Sequence, residues 1–154
     1  MAALLIKHIT KALGISRSRV EQWISRGHFR MPDNPIVGKP REWDFGDTMR
    51  LAVFATLADA GVAVDQAGML TQFSMHSFKD EPGIFVAWQG WVDIQVNDPA
   101  TGKPVQSHTA SWMHQIIRLS ALANFIANDD VEISVVIHLD NLENRLKNLL
   151  GGVN

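Results

Sequence analysis

The sequence predicts an α+β protein in which a helical first half is followed by a second half that mixes strands and helices. Three observations support this prediction. Apolar residues recur at helical spacing up to about residue 76, the periodicity changes to that of strands after Gly83, and the net charge changes sign between the two halves. The polar, turn-rich residues 77–83 lie at the change. We therefore predict one domain at residues 1–76 and a small α+β dimerisation or sensing module at residues 77–154.

The net charge of −2 conceals an uneven distribution. Residues 1–50 carry nine Lys and Arg against five Asp and Glu, whereas residues 51–154 carry five against eleven. A basic end joined to an acidic remainder indicates a negatively charged partner that contacts one end only. The alternative interpretation is an uneven surface charge without a role.

The composition also bears on compartment. The chain has no cysteine, which excludes disulfides and thiolate zinc sites. The apolar start is interrupted by Lys7, His8 and Lys11, which does not fit a signal peptide. No run reaches the roughly 18 apolar residues of a membrane span. We expect a soluble, cytoplasmic protein without a membrane segment.

Four helices are predicted in the first half. The first covers residues 3–13 and ends at Gly14, and Ser16 or Ser18 can cap a short second helix that ends near residue 27. Trp23 is placed at the crossing of these two helices. Asp44 can cap a third, amphipathic helix that ends near residue 61, and Asp65 can cap a weaker fourth that runs to about residue 76.

Residues 28–43 have a different character. Three prolines and Gly38 exclude a helix there, and four apolar residues could anchor a small β-hairpin, which we call the wing. These four residues are Phe29, Ile36, Val37 and Trp43.

The second half is predicted to contain strands at residues 84–88, 91–96 and 105–109, a helix at 112–126, a central strand at 131–139 and a closing helix at 141–150. Trp88 and Trp91 are three residues apart, so in a strand they face opposite sides unless Gly90 forms a bulge. At least one of them is therefore a candidate for an exposed or dimer-facing position.

The helix pair around Gly14 carries the functional hypothesis. Two short helices crossed steeply at a glycine-containing turn allow the second helix to enter the major groove of DNA. On its outward face, Arg17 could pair with guanine and Gln22 with adenine. The alternative is that any two helices joined by a glycine show this pattern.

Ten residues are candidate DNA contacts on the second helix, over residues 17–26, and on the wing. Some could read base edges, and the surrounding cations could contact phosphates. The ten are Ser16, Arg17, Ser18, Arg19, Gln22, Arg26, His28, Arg30, Lys39 and Arg41.

The order of four segments resembles the DNA-binding domain of the MerR superfamily over roughly the first 75 residues. The segments are ITKALGIS at 9–16, RVEQWISRG at 19–27, REWDFGD at 41–47 and LAVFATLADAG at 51–61. The resemblance implies a winged helix-turn-helix domain that binds operator DNA as a homodimer. It places the recognition helix at residues 17–25 and the wing arginine at Arg41. Thr10, Glu21 and Gln22 depart from the family's usual residues.

Other classes of function receive less support from the sequence. Six histidines lack the tight spacing of a metal site, and no nucleophile triad or phosphate-binding loop is found. We therefore predict a transcriptional regulator that is not an enzyme, uses no cofactor or metal, and responds to a possible small-molecule or protein effector. Two alternatives remain open. One is an excisionase-like or DNA-packaging protein, and the other is a ligand-binding or enzymatic second half with a protein-interaction first half.

Overall fold

The computed structural model describes residues 4–31 and 38–151, and the fold of these residues is α+β, as predicted. A short 3-10 turn at Leu119–Ala121 precedes the fifth helix. In chain order the elements are α1 (Ile6–Leu13), α2 (Arg17–Ser25), α3 (Phe45–Asp59), α4 (Val64–Leu70), β1 (Gly83–Asn97), β2 (Pro104–Arg118), α5 (Leu122–Ile126), β3 (Ile133–His138) and α6 (Leu139–Leu150).

The turn between α1 and α2 forms as its residues predict. Gly14 has φ 67°, a left-handed conformation that glycine adopts without strain, and its N–H points to the carbonyls of Lys11 and Thr10. Ser16 then caps α2, because its Oγ accepts a hydrogen bond from Arg19 N at 3.2 Å. The buried hydroxyl of Thr10 donates to Ile6 O at 3.0 Å, so this polar residue is accommodated inside the helix pair.

The longest described helix, α3, lies at the centre of the core. Asp44 is its cap, as predicted, and accepts a hydrogen bond from Asp47 N at 2.6 Å. The prediction for α4 is wrong at both ends. Ala63 precedes it instead of Asp65, and the helix stops at Leu70 instead of near residue 76. The Thr71 hydroxyl donates to the Ala67 carbonyl at 2.8 Å, a local bond that accompanies the end of the helix.

The three strands form an antiparallel sheet in the order β2-β1-β3. The central strand is therefore β1, and the prediction that residues 131–139 form a central strand is wrong. β3 pairs only with residues 84–89 of β1 and lies at an edge. Its apolar run reflects packing of Val135 and Ile137 against the helices, whereas Ile133 and Val136 on the same strand are exposed.

Two further strand predictions are corrected. Residues 84–88 and 91–96 belong to one unbroken strand, because Gly90 pairs with Ser111 in regular register and forms no bulge. Residues 112–118, predicted as part of a helix, continue β2. Ile116 packs against the main core and Ile117 against the α5 side, so both faces of the sheet are covered here. A strand that is covered on both faces has consecutive apolar residues, so its sequence lacks the alternation of apolar and polar residues that predicts a strand.

One buried core spans both halves of the chain. Ile9, Trp23 and Phe54 from the first half belong to the same buried cluster as Phe85 and Leu146 from the second. The predicted boundary at residue 76 falls within residues 71–82, which contain no helix or strand but do not interrupt this core. Packing of α6 against α1 and α3 thus holds the two halves together.

Beyond residue 89, β1 and β2 continue as a two-stranded ribbon that β3 does not accompany. We name residues 90–111 the β-arm. Val92, Ile94 and Val105 share one face of the β-arm, and Asp93 Oδ1 lies 2.5 Å from His108 Nδ1 on the other. Trp91, which is 67% exposed, is on the face opposite to half-buried Trp88, as their spacing predicts. Isolated two-stranded ribbons are at most marginally stable in water.

His114 gives a testable pH dependence. Its half-buried ring stacks on Phe73 at 5.1 Å and Phe85 at 5.9 Å, and this burial lowers its pKa from 6.5. The unfolded chain therefore takes up a proton at a pH where native His114 resists it, so stability is lost as the pH falls through about 6.5. Urea unfolding at a series of pH values should show a smaller acid loss for His114→Asn than for wild type. Exposed His76→Asn is the control, and identical pH profiles for wild type and His114→Asn would contradict the assignment.

Candidate nucleic-acid interface

The second helix presents a polar face to solvent. Its inward side is anchored by Val20 and Trp23, both buried. Four exposed residues lie on the opposite side, and Arg17 and Arg26 flank them near the two ends of the helix. The four are Ser18, Glu21, Gln22 and Ser25. Short polar side chains between arginines give a surface that can approach base edges while cations reach the sugar-phosphate backbone.

Trp23 is predicted to lie at the crossing of α1 and α2; it is buried as expected, and its aromatic contact is with α3. The side chain is only 6% exposed and packs edge-to-face on Phe54 of α3, with ring centroids 4.8 Å apart. The Arg19 guanidinium lies over the indole ring at 4.7 Å and donates to Asp59 Oδ1 at 2.8 Å. Trp23, Arg19 and Asp59 thus fix the orientation of α2 against α3.

Several predicted contact residues already have partners within the chain. Arg17 Nε donates to Glu21 Oε1 at 2.6 Å, one turn along α2. Ser16 is the helix cap, and its Oγ lies 3.2 Å from Ser18 Oγ. These bonds are exposed, and exposed ion pairs contribute little to stability, so Arg17 can exchange Glu21 for a phosphate at small cost.

The segment after α2 is held close to the body of the protein. His28 N donates to Trp23 O at 2.8 Å, and the His28 carbonyl oxygen lies only 2.0 Å from where a Cβ on Gly68 would stand. Any side chain at Gly68 would displace this segment. The side chain of Arg30 is exposed, while its carbonyl accepts a hydrogen bond from Arg50 Nη2 at 2.9 Å.

Arg50 is a positioning residue that the sequence analysis did not single out. From α3 it also donates to Thr71 O at 2.8 Å and to Asp47 Oδ1 at 3.1 Å, and its guanidinium lies over the Phe29 ring at 5.2 Å. Burial raises the pKa of Asp47, and the negative charge of Asp44 adds to this, while Arg50 opposes it. The sequence did contain a signal for this role, because Arg50 is a charged residue between buried residues of the amphipathic helix α3.

The predicted wing lies partly outside the described residues. Ile36 and Val37 are in the segment 32–37, so the structure does not bear on a hairpin there. Trp43 forms a short bridge with Leu4, with hydrogen bonds of 2.9 and 3.3 Å, and its ring stacks on Phe29 at a centroid distance of 6.0 Å. Lys39 is exposed and Arg41 is half-buried, and Arg41 lines a cavity together with residues of α2.

The histidines considered for a metal site are dispersed. Within residues 4–31 and 38–151, no group of three or more His, Asp or Glu is arranged to hold a metal ion. His108 pairs with Asp93, and His138 Nδ1 accepts a hydrogen bond from Asn141 N at 3.2 Å as the cap of α6. In the same ranges no helix is long and apolar enough to span a membrane.

No protein-family model matches the chain, and no curated protein is significantly similar to it.

Proposed function

We propose that this chain is a sequence-specific DNA-binding transcriptional regulator with a winged helix-turn-helix domain. It would bind operator DNA as a homodimer through the helix at residues 17–26 and the wing at residues 28–43. The observation that carries this proposal is the polar outer face of α2, which follows a tight glycine turn and is flanked by Arg17 and Arg26. The basic character of residues 1–50 supports the same partner.

The direct test is selection of bound sequences from a random DNA pool at low salt, followed by footprinting on the source genome. We expect one enriched half-site repeated with two-fold symmetry. Protected sites at promoters support regulation, whereas sites at attachment or packaging sequences support the excisionase-like or packaging alternative. A folded protein that enriches no sequence contradicts sequence-specific binding.

Base and phosphate contacts predict different mutant behaviour. Gln22→Ala should relax the sequence preference, because contacts to base edges determine which DNA sequence is bound. Arg41→Ala should weaken binding to all DNA about equally and flatten the slope of log K against log salt by about one, because one phosphate contact is lost. Binding isotherms at several salt concentrations measure both effects.

Glu143→Ala, on α6, is the control for these variants and should change neither quantity. An Arg41→Ala protein with unchanged affinity and unchanged salt slope would show that Arg41 does not contact phosphate.

The β-arm supports the homodimer. Residues 105–111, the β2 side of the β-arm, contain no Lys, Arg, Asp, Glu or Pro, so this part of the edge strand lacks the residues that normally prevent pairing with another chain. The β-arm contains two acidic residues, Asp93 and Asp98, and one basic residue, Lys103. It therefore has no basic surface for DNA, and its small net charge does not strongly repel a second copy. A second copy is the occupant that fits, because antiparallel pairing of two β2 strands about a two-fold axis would give one six-stranded sheet.

A further inference from the structure

A cavity of about 290 Å³ lies between the start of α1, one flank of α2 and residues 40–43. Val20, Ile24 and Trp43 contribute apolar walls. The volume is about twice that of an engineered apolar cavity of roughly 150 Å³ that binds benzene. The cavity can therefore hold a molecule of one to two rings.

Arg41 also lines this cavity, and its Nε is buried. Among the residues that the structure describes, this nitrogen has no hydrogen-bond acceptor. Native proteins contain few buried donors without partners, and the penalty is larger when the group is charged. An acceptor supplied by a ligand would remove this penalty once the Arg41 side chain turns its guanidinium toward the cavity.

The charges around the cavity indicate the sign of that ligand. Lys7, Arg17 and Arg41 are opposed by Glu21 alone, and Glu21 is already paired with Arg17. Positive charge is thus in excess beside Arg41. A carboxylate fits a guanidinium through two parallel hydrogen bonds, and an apolar body fits the walls better than a hydrated inorganic ion does.

We propose that this cavity binds a small organic anion, a carboxylate carried on an apolar body of one to two rings, with the carboxylate at Arg41. The bound anion competes with DNA phosphates for Arg17 and Arg41, so it releases DNA. Occupancy of the cavity is independent of the proposed function, and only the competition rests on it.

The probe is 2-naphthoate, titrated calorimetrically into the full chain at low ionic strength. We expect one saturable site with a Kd on the order of 1 mM or tighter, as ordinary ligand efficiency gives for about a dozen non-hydrogen atoms. Neutral 2-naphthamide should bind at least about tenfold more weakly, because it loses the charge-assisted bonds.

Two variants locate the site. Arg41→Gln should weaken 2-naphthoate about tenfold or more, and Ile24→Trp, which fills the cavity, should abolish binding while Arg41 is retained. Arg26→Gln, an exposed arginine at the far end of α2, should leave the Kd unchanged. Thermal melts check that each variant is folded. If either Arg41→Gln or Ile24→Trp does not fold, the other variant still tests the site.

Three results would overturn the proposal: no saturable binding of 2-naphthoate, equal affinity for the amide, or full affinity in folded Arg41→Gln. Naphthoate binding to a protein that binds no DNA would contradict the proposed function and leave the cavity site standing. DNA binding that saturating naphthoate does not reduce would contradict the competition.

Discussion

Trp23→Ala is expected to destabilise the protein by roughly 3–5 kcal/mol, the range for removal of a large buried aromatic side chain. The indole fills the crossing between α2 and α3, where it contacts Phe54 and supports the guanidinium of Arg19. Its loss leaves a cavity in a core that both halves of the chain share, so the whole protein should unfold at lower urea concentration. Equilibrium urea unfolding measures the difference.

Met69→Ala is the control for this prediction, because Met69 is 65% exposed on α4 and its removal should cost much less. DNA binding below the melting temperature provides a second measurement. A Trp23→Ala protein that unfolds like wild type but no longer binds DNA would place the indole at the DNA surface and contradict its role in the core.

Shortening the β-arm is expected to convert a dimer into a monomer and to reduce operator affinity by orders of magnitude. In the shortened protein an Asn-Gly turn replaces residues 92–109 and joins Trp91 to Ala110, which are paired across the ribbon. Each subunit keeps its core and α2, so the recognised half-site should be unchanged. The shortened protein loses only the additional affinity that a dimer gains by binding two half-sites at once.

Sedimentation at micromolar concentration and operator titrations measure the two effects. Asp93→Asn, on the polar face of the β-arm, is the matched control and should remain dimeric. Ala110→Lys tests the β2 edge itself, because an edge lysine discourages strand pairing without shortening the ribbon. A wild-type monomer, or a shortened protein that is still dimeric, would contradict the proposed interface.

The local features of the helices could be predicted because their causes lie within a few residues. Gly14 ends α1 through its own φ, and Ser16 and Asp44 accept hydrogen bonds from residues three positions ahead. Burial of Trp23 followed from the apolar stripe of its helix. Each of these features depends on local backbone chemistry or on helical periodicity, which the sequence contains directly.

The candidate interface was predicted less completely. The sequence identified the polar and basic residues of α2, but it did not show that Arg19 is tied to Asp59 or that Arg50 anchors the Arg30 carbonyl. Arg19 and Asp59 are 40 residues apart, and Arg50 bonds to backbone atoms about 20 residues away in both directions. Partners at such separations leave no local pattern.

By itself the sequence determined the α+β class, the caps of α2 and α3, the glycine turn and the basic character of the first half. Only the tertiary structure decided that residues 112–118 form a strand, that β3 lies at an edge and that one core joins both halves. The physical reason is that strand pairing and burial depend on neighbours distant in the chain. Ile116 and Ile117 could suit a helix or a strand, and the elements that cover the two faces of the sheet select the strand.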